Sequence, residues 1–199
     1  MAAFTKKAII STFVELLNEQ PFDKITVKEI VERCEINRNT FYYHYKDIYE
    51  LLTDVLQSDL KRAVENSENY DTWEKGIVDA LSFAIRNKRA VYHIYNSANR
   101  EILKDYFRDI IKDITAKFIR REAGTDNIPA DDLAFLSRLL DEAVMGMFET
   151  WMEEGMTEDI EVKVAKAEYL FKGVTRMVAE RMNTPEYKLI KNGKGPKQA

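Results

Sequence analysis

The chain has few of the residues that crosslink or bend a polypeptide: one cysteine, four prolines and seven glycines among 199 residues. A single cysteine, Cys34, excludes a disulfide framework within the chain. So few glycines and prolines leave little room for the many tight turns of a β-sandwich or β-barrel. Hydrophobic residues make up 45% and charged residues 32% of the chain, a composition typical of a soluble globular protein with a buried core.

The motifs of the common enzyme classes are also missing. The sequence contains no glycine-rich phosphate loop, no GxSxG or HExxH motif, and no cluster of cysteine and histidine. Its two histidines, His44 and His93, lie in separate segments, so nothing specifies a metal site or a cofactor. No apolar run approaches the roughly 20 residues of a membrane span, and the N-terminus lacks the apolar region of a secretory signal. We therefore expect a cytoplasmic protein that is not an enzyme, needs no metal or cofactor, and does not bind a membrane.

Charge is distributed unevenly along the chain. The net charge of −4 argues against a surface that is basic all over, as a general nucleic-acid coat would be. From Ile36 to Lys46, however, there is no acidic residue, while Arg38 and Lys46 are basic. An anionic partner would therefore have to bind a small patch.

Two short helices near the N-terminus have clear start signals. Thr26 followed by Glu29 forms a capping box, and Asn37 is an N-cap candidate for the next helix. Residues 27–45 thus predict a helix, a three-residue turn and a second helix. This spacing is typical of the helix-turn-helix motif, whose second helix enters the major groove of DNA.

The second of these helices, NRNTFYYHYK, is unusual in its composition. Phe41 and Tyr45 are spaced to hold it against a core, and its other side chains offer hydrogen bonds. We expect Arg38 to make a bidentate contact to guanine, Tyr42 to bond a phosphate, and Lys46 to fix the register through another phosphate. The predicted DNA contacts are Thr26, Asn37, Arg38, Asn39, Thr40, Tyr42, Tyr43, His44 and Lys46.

The stretch 25–52, ITVKEIVERCEINRNTFYYHYKDIYELL, resembles the tetracycline-repressor (TetR) family of transcriptional regulators. In that family a threonine opens the first helix of the motif, and a Ser-Lys/Arg-x-x-Leu/Phe-Tyr-x-His-Phe/Tyr core forms the recognition helix. The corresponding positions here hold Arg38, Phe41, Tyr42, His44, Tyr45 and Lys46. The chain departs from the family at Cys34 and Glu35, where Ala-Gly is common, and at Asn37, which replaces the usual serine cap. Glu35 then occupies a turn position that calls for a positive φ.

The resemblance and the helical periodicity together predict an all-α fold. We expect an N-terminal three-helix helix-turn-helix DNA-binding domain at 1–47 and a C-terminal helical dimerisation and effector domain at 48–183. The tail at 184–199 is rich in lysine, glycine and proline, so we expect it to be disordered.

The resemblance implies a homodimeric regulator that binds a palindromic operator in double-stranded DNA. It also implies a repressor that a small-molecule effector releases from this operator. The many aromatic residues of the second domain are core residues by default, but their density favours a pocket for a small apolar or aromatic effector. The predicted pocket residues are Tyr92, His93, Tyr95, Asn96, Phe107, Phe118 and Trp151.

The last two long helices, at about 131–154 and 158–182, carry more apolar width than one core-facing stripe requires. Paired about a two-fold axis, they would form a four-helix bundle. One recognition helix covers only a few base pairs, so useful specificity needs two half-sites and a dimer. The predicted interface residues are Leu136, Leu140, Val144, Phe148, Leu170, Val174 and Met177.

Two other functions stay open at this point. One is a helical regulator with the same DNA-binding helix that is controlled by a protein partner instead of a ligand. The other is a helical adaptor that binds only protein, which would leave the polar face at 38–46 without a purpose.

Overall fold

The computed structural model describes residues 2–67, 73–123, 128–171 and 173–193. All regular structure within these ranges is helical, which confirms the all-α prediction. The helices are α1 (Ala2–Glu19), α2 (Val27–Arg33), α3 (Arg38–His44), α4 (Ile48–Ser67), α5 (Trp73–Ala80), α6 (Ser82–Arg86), α7 (Lys88–Tyr95), α8 (Arg100–Ala123), α9 (Ala130–Glu153), α10 (Ile160–Phe171), α11 (Val174–Met182) and α12 (Pro185–Lys191). None of the helices in the described ranges is long and apolar enough to cross a bilayer.

Helices α1 to α3 enclose a core with the first turns of α4. Apolar residues recur every three or four positions in these helices, so each presents one face to the centre. The side chains buried there include Phe13, Leu16, Phe22, Ile30, Phe41 and Leu52. This core is continuous with that of the second half of the chain, so the two halves share one apolar interior.

Helix α4 begins directly after Asp47, whose side chain caps the helix, and runs from the DNA-binding helices into the second half of the chain. Asp47 Oδ1 accepts the N–H groups of Tyr49 and Glu50 at 3.0 and 2.8 Å, and Glu50 Oε2 accepts the N–H of Lys46 at 2.6 Å. Satisfying these otherwise unpaired donors fixes the start of the helix directly after the helix-turn-helix motif.

A polar network ties the distal half of α4 to its neighbours. The Tyr106 hydroxyl of α8 donates to Asp59 at 2.5 Å, and Arg62 bridges Asp59 at 2.9 Å and Asp79 of α5 at 3.0 Å. Burial, followed by the charge of Asp59, raises the pKa of Tyr106, so its hydroxyl remains a donor. Helix α8 also packs against α5, α7, α9 and α11, and is the central helix of the second domain.

Helix α1 lies along α7 and joins the DNA-binding helices to the second domain. Asn18 donates to Asn87 Oδ1 and accepts the N–H of Ala90, both at 3.3 Å. His93 Nδ1 lies 2.7 Å from the carbonyl oxygen of Leu17. A carbonyl only accepts, so His93 donates and carries its proton on Nδ1.

The C-terminal segment differs from the prediction of disorder. Residues 185–191 form α12, with Thr184 as N-cap and proline at the first helical position. Asp132, buried at the start of α9, accepts from the Tyr187 hydroxyl and from Lys191 Nζ, both at 2.8 Å. These partners satisfy a carboxylate that water cannot reach, and so hold α12 in place. Residues 194–199 of the predicted tail lie outside the described residues.

Candidate functional site

The first helix of the motif, α2, is held by the predicted capping box. Thr26 Oγ1 accepts the N–H of Glu29 at 3.2 Å, and Glu29 Oε2 accepts the N–H of Thr26 at 3.1 Å. The Gln20 amide also donates a hydrogen bond to the Glu29 carboxylate. This bond is the largest of the causes that lower the pKa of Glu29. The helix N-terminus is therefore ordered. The Thr26 hydroxyl also donates to Glu29 Oε2 at 3.2 Å, so it is already hydrogen-bonded within the chain.

The turn between α2 and α3 is a Schellman motif built on an unusual residue. Glu35 has φ +53°, the left-handed conformation that was expected at this position. The N–H of Glu35 bonds the Glu32 carbonyl at 3.3 Å, and the N–H of Ile36 bonds the Val31 carbonyl at 3.0 Å. These two bonds set the angle at which α3 leaves α2.

The recognition helix α3 is fixed at both ends. Asn37 Oδ1 accepts from the N–H and the hydroxyl of Thr40 at 2.8 and 3.0 Å. Phe41 is fully buried, and the Tyr45 hydroxyl donates to Asp54 of α4 at 2.7 Å. Burial, followed by the bond to Asp54, raises the pKa of Tyr45, so this bond persists across the ordinary pH range.

The side of α3 away from the core is polar and exposed. Arg38, Asn39, Tyr42, Tyr43 and Lys46 are all exposed. At 100° per residue Arg38, Asn39, Tyr42 and Tyr43 span an arc of roughly 140° that excludes the Phe41 anchor, and Lys46 follows just beyond the C-cap Tyr45. Neither Arg38 nor Lys46 forms an ion pair with any residue that the structure describes, so both charges are available to an outside anion.

The other four predicted DNA contacts are less available. Asn37 and Thr40 bond each other at the helix start, and Thr26 belongs to the capping box. His44 is half-buried, with its ring 5.1 Å from that of Tyr43. The structure therefore separates five free side chains from four whose polar groups or surface are already engaged.

The seven predicted effector-pocket residues do not surround one cavity. Tyr92 and Asn96 are exposed, and His93 bonds α1 as described above. Phe107 and Trp151 are fully buried in the core, where the Phe107 ring lies 3.9 Å from that of Phe148. The aromatic side chains of Phe107 and Trp151 thus belong to the packed core. Tyr95 is half-buried, and burial raises its pKa.

Two of the cavities in the described part of the second domain lie between its helices and have an almost wholly apolar lining. One, against Phe107, Val144 and Phe148, has a volume of only about 20 Å³. The other, of about 210 Å³, lies between α8, α9, α10 and α11. It is lined by one predicted pocket residue, Phe118, and by four residues predicted for the dimer interface, Leu136, Leu140, Val144 and Val174.

The predicted dimer-interface residues differ in exposure, and three of them, Leu140, Val144 and Val174, are half-buried. Leu136 and Phe148 are each only 3% exposed within a single chain, so a partner would gain almost nothing by covering them. Leu170 and Met177 are exposed. The prediction missed the other exposed apolar side chains of the last helices, which are Phe135, Leu139, Val162 and Tyr169. Their spacing along each helix, opposite the buried stripe, was the signal that would have found them.

Two regions of the chain match protein families. Residues 9–55 match the family described as "Bacterial regulatory proteins, tetR family", and residues 71–173 match the region described as "Transcriptional regulator C-terminal region". The chain belongs to the TetR family. It is accordingly a DNA-binding transcriptional regulator and not an enzyme.

A characterised relative matches part of the chain. It is the HTH-type dhaKLM operon transcriptional activator DhaS of Lactococcus lactis subsp. lactis (strain IL1403), 25% identical over 84 residues. This match spans 42% of the present chain and 45% of the relative, so less than half of that protein's length is covered.

Solved structures show the same TetR fold over most of the chain. The dihydroxyacetone kinase operon activator DhaS has a TM-score of 0.72 at 19% identity, covering 87% of this chain and 97% of that one. A TetR regulator from Streptococcus agalactiae 2603V has a TM-score of 0.61 at 23% identity, with coverages of 83% and 92%. NalD of Pseudomonas aeruginosa, the secondary repressor of the MexAB-OprM multidrug efflux pump, has a TM-score of 0.52 at 16% identity, with coverages of 87% and 98%.

Proposed function

We propose that this TetR-family chain is a homodimer that binds a palindromic operator through α3 and leaves it when a small molecule occupies the second domain. The observation that carries the proposal is the free polar arc of α3 above its buried anchors, with Arg38 and Lys46 unpaired among the described residues. A rigid helix with exposed hydrogen-bond donors is suited to recognising a DNA sequence, because its side chains are already held in position in the free protein.

We propose that residues at the start of α3 contact the bases, and that residues at and just after its end contact phosphates and so fix the position of the helix on the DNA. Arg38, at the first helical position, reaches base edges in the usual docking geometry and can pair with guanine O6 and N7. Tyr42, Tyr43 and Lys46 lie one or two turns further on and contact phosphates, which fix register without reading sequence.

The proposed dimer rests on the outer faces of α9 and α10. Val162, Ala165, Lys166, Tyr169 and Leu170 follow helical spacing along α10 and line one open groove. Tyr169 and Leu170 are 83% and 72% exposed. Apolar side chains this exposed on one stripe are costly in water, and a second copy would cover them. Pairing by a two-fold axis would also place two α3 helices on successive major grooves.

Release by a ligand makes the protein a repressor, and the cavity of about 210 Å³ supports this mode. A ligand shifts the DNA-free state only if it binds that state more tightly. A second candidate is an activator, since the partial sequence match is to a protein named an activator. Control by a protein partner in place of a ligand is the outcome if no small molecule binds.

The test is an electrophoretic mobility shift with DNA that flanks the protein's own gene, combined with sedimentation of the free protein. We expect a dimer in solution and a single shifted band on a palindromic site. In vitro transcription from the same DNA separates repressor from activator. A stable monomer at micromolar concentration, or equal affinity for random DNA, would contradict the proposal.

A further inference from the structure

The cavity of about 210 Å³ differs from the rest of the second domain because the helices around it fail to fill it. Its walls come from α8 through Phe118, from α9 through Leu136 and Leu140, and from α10 and α11 through Ala167 and Thr175. Protein interiors seldom leave voids larger than a water molecule. This cavity lies between four helices and opens to solvent beside Leu139, which is 57% exposed, so a ligand can enter it.

The lining restricts what such a ligand can be. No residue that lines the cavity is ionisable, and all but two of the lining side chains are aliphatic or aromatic. An ionised group would have to lose its water there without a counter-charge, which costs several kcal/mol. The ligand chemistry that fits is neutral and largely apolar.

The two polar lining residues are threonines in different states. The Thr115 hydroxyl is engaged with the Ile111 carbonyl at 2.8 Å and with the Asp141 carboxyl group. Thr175 is only 5% exposed, and its hydroxyl makes no hydrogen bond to any of the residues that the structure describes. A residue as buried as Thr175 usually has a hydrogen-bond partner, and here the hydroxyl faces the cavity instead. One polar group on the ligand would supply the missing partner.

The volume of the cavity limits the size of the ligand. Apolar cavities of about 150 Å³ in other proteins stay dry and bind benzene. A cavity of about 210 Å³ therefore holds roughly eight to ten non-hydrogen atoms, which is one ring and a short substituent.

We infer that this cavity is the effector site and that it takes a neutral, single-ring or similarly compact apolar molecule with one hydroxyl or carbonyl group that bonds Thr175. The inference rests on the proposed release by a ligand and names the chemical class of that ligand. It also assigns the effector to the space between α8 and α9–α11, instead of the packed core around Phe107 and Trp151. Because α8 packs against α4, a shift of α8 on ligand binding would be passed to the helix that follows the DNA-binding motif.

Four probes of similar size separate the possibilities. Benzyl alcohol, ethylbenzene, benzoate and benzylamine each pair one ring with a short substituent, and differ in polarity and charge. We expect benzyl alcohol to raise the Tm of the full chain saturably and to bind in calorimetry about fivefold more tightly than ethylbenzene, the factor given by one hydrogen bond. Benzoate and benzylamine are expected to bind at least tenfold more weakly. Equal binding of a charged probe would overturn the assigned class.

Two substitutions test the location. Thr175→Val keeps the shape but removes the hydroxyl, so the preference for benzyl alcohol over ethylbenzene should fall to within twofold. Ala167→Leu fills the cavity and should abolish binding of both neutral probes without lowering Tm, since there is space for the added carbons. Ala8→Leu, the same change at an exposed position of α1, should leave probe binding unaltered. Undiminished binding in Ala167→Leu would place the ligand elsewhere and overturn the inference.

Operator binding is measured on the same proteins without any probe. If the parent chain binds its operator but no neutral probe binds, this inference fails and the proposed DNA-binding function stands. If benzyl alcohol binds as expected but no operator is recognised, the proposed function fails and the assigned ligand class stands.

Discussion

Arg38 and Lys46 are both basic and exposed, but Arg38 opens α3 whereas Lys46 lies two residues beyond its end, so we expect different effects from their removal. We expect Arg38→Ala to cost about 1–3 kcal/mol per half-site and to relax preference at one base pair. Lys46→Ala should weaken binding to all sequences and reduce the slope of log affinity against log salt by about 1 per chain. Fluorescence anisotropy with operator and scrambled DNA at several salt concentrations measures both.

The matched control is Lys61→Ala, an exposed lysine of α4 whose partner is Glu65 at 3.8 Å. It should leave DNA affinity unchanged. If Arg38→Ala loses affinity equally for operator and scrambled DNA, base reading by Arg38 is refuted.

Glu35 carries strain that a glycine would not. A non-glycine residue at φ +53° costs on the order of 1 kcal/mol. We expect Glu35→Gly to raise Tm by a few degrees, and, because an acid beside the DNA is removed, to strengthen DNA binding at low salt. Glu32→Gly, an exposed helical position three residues earlier, should instead lower Tm. A lower Tm for Glu35→Gly in thermal denaturation would show that the turn needs the glutamate side chain.

Local chemistry made the residues of the motif predictable. Thr26, Asn37 and Phe41 act through neighbours three or four positions away, and such relations are visible in a sequence. His93 was different, because its partner is a carbonyl group 76 positions earlier in the chain. An interaction between distant segments leaves no local pattern, so a histidine that joins two domains resembled a ligand contact.

At the scale of helices, Gly146 of α9 offers a direct test of dimerisation. No atom of the described chain beyond its own helix backbone and sequence neighbours lies within 4 Å of where a Cβ at Gly146 would sit. We expect Gly146→Leu to keep or raise Tm, since leucine favours the helix, and to convert the dimer to a folded monomer. Only a partner helix in close approach can produce that combination.

Leu170→Asp on α10 should have the same effect on sedimentation, because it places a charge in the proposed contact. Glu161→Asp, a conservative change at an exposed position of the same helix, is the control. If Gly146→Leu and Leu170→Asp both sediment as the parent does, the dimer uses another surface.

Helix α12 is expected to stabilise the start of α9. Removing residues after Asn183 would leave the buried Asp132 without Tyr187 and Lys191, and a buried carboxylate without partners costs several kcal/mol. We expect the truncated chain to lose about 2–4 °C in Tm for each kcal/mol. Lys188→Ala, an exposed change in the same helix, should have no effect. An unchanged Tm on truncation would show that α12 is not held in solution.

The apolar periodicity of α9 and α10 predicted these helices well, but their environment could not be predicted. Leu136 and Leu170 look alike in sequence, yet one is buried and the other exposed. The difference depends on which helix packs on which side, and that is decided by segments far away in the chain.

Across the whole molecule, the contact between α1 and α7 couples the DNA-binding helices to the second domain. Asn18 bonds both Asn87 and the N–H of Ala90 there. We expect Asn18→Ala to leave operator affinity within about threefold while halving, or more, the effect of benzyl alcohol on that affinity, because coupling needs two states of a connected structure. Asn96→Ala, which removes only a bond to the Tyr92 carbonyl, should keep the full effect. If Asn18→Ala retains it too, coupling runs through α4 alone.

The single cysteine gives this architecture an unexpected experimental use. Cys34 ends α2, half-buried, with its thiol 3.2 Å from the Thr12 hydroxyl. A dimer would therefore carry two thiols, one beside each recognition helix, and a spin label would need no engineered site. On an operator whose half-sites are one helical turn apart, the two labels should give one narrow distance distribution, on the order of the 34 Å spacing of successive major grooves. Electron paramagnetic resonance could then follow the separation of the two DNA-binding domains as a ligand is added.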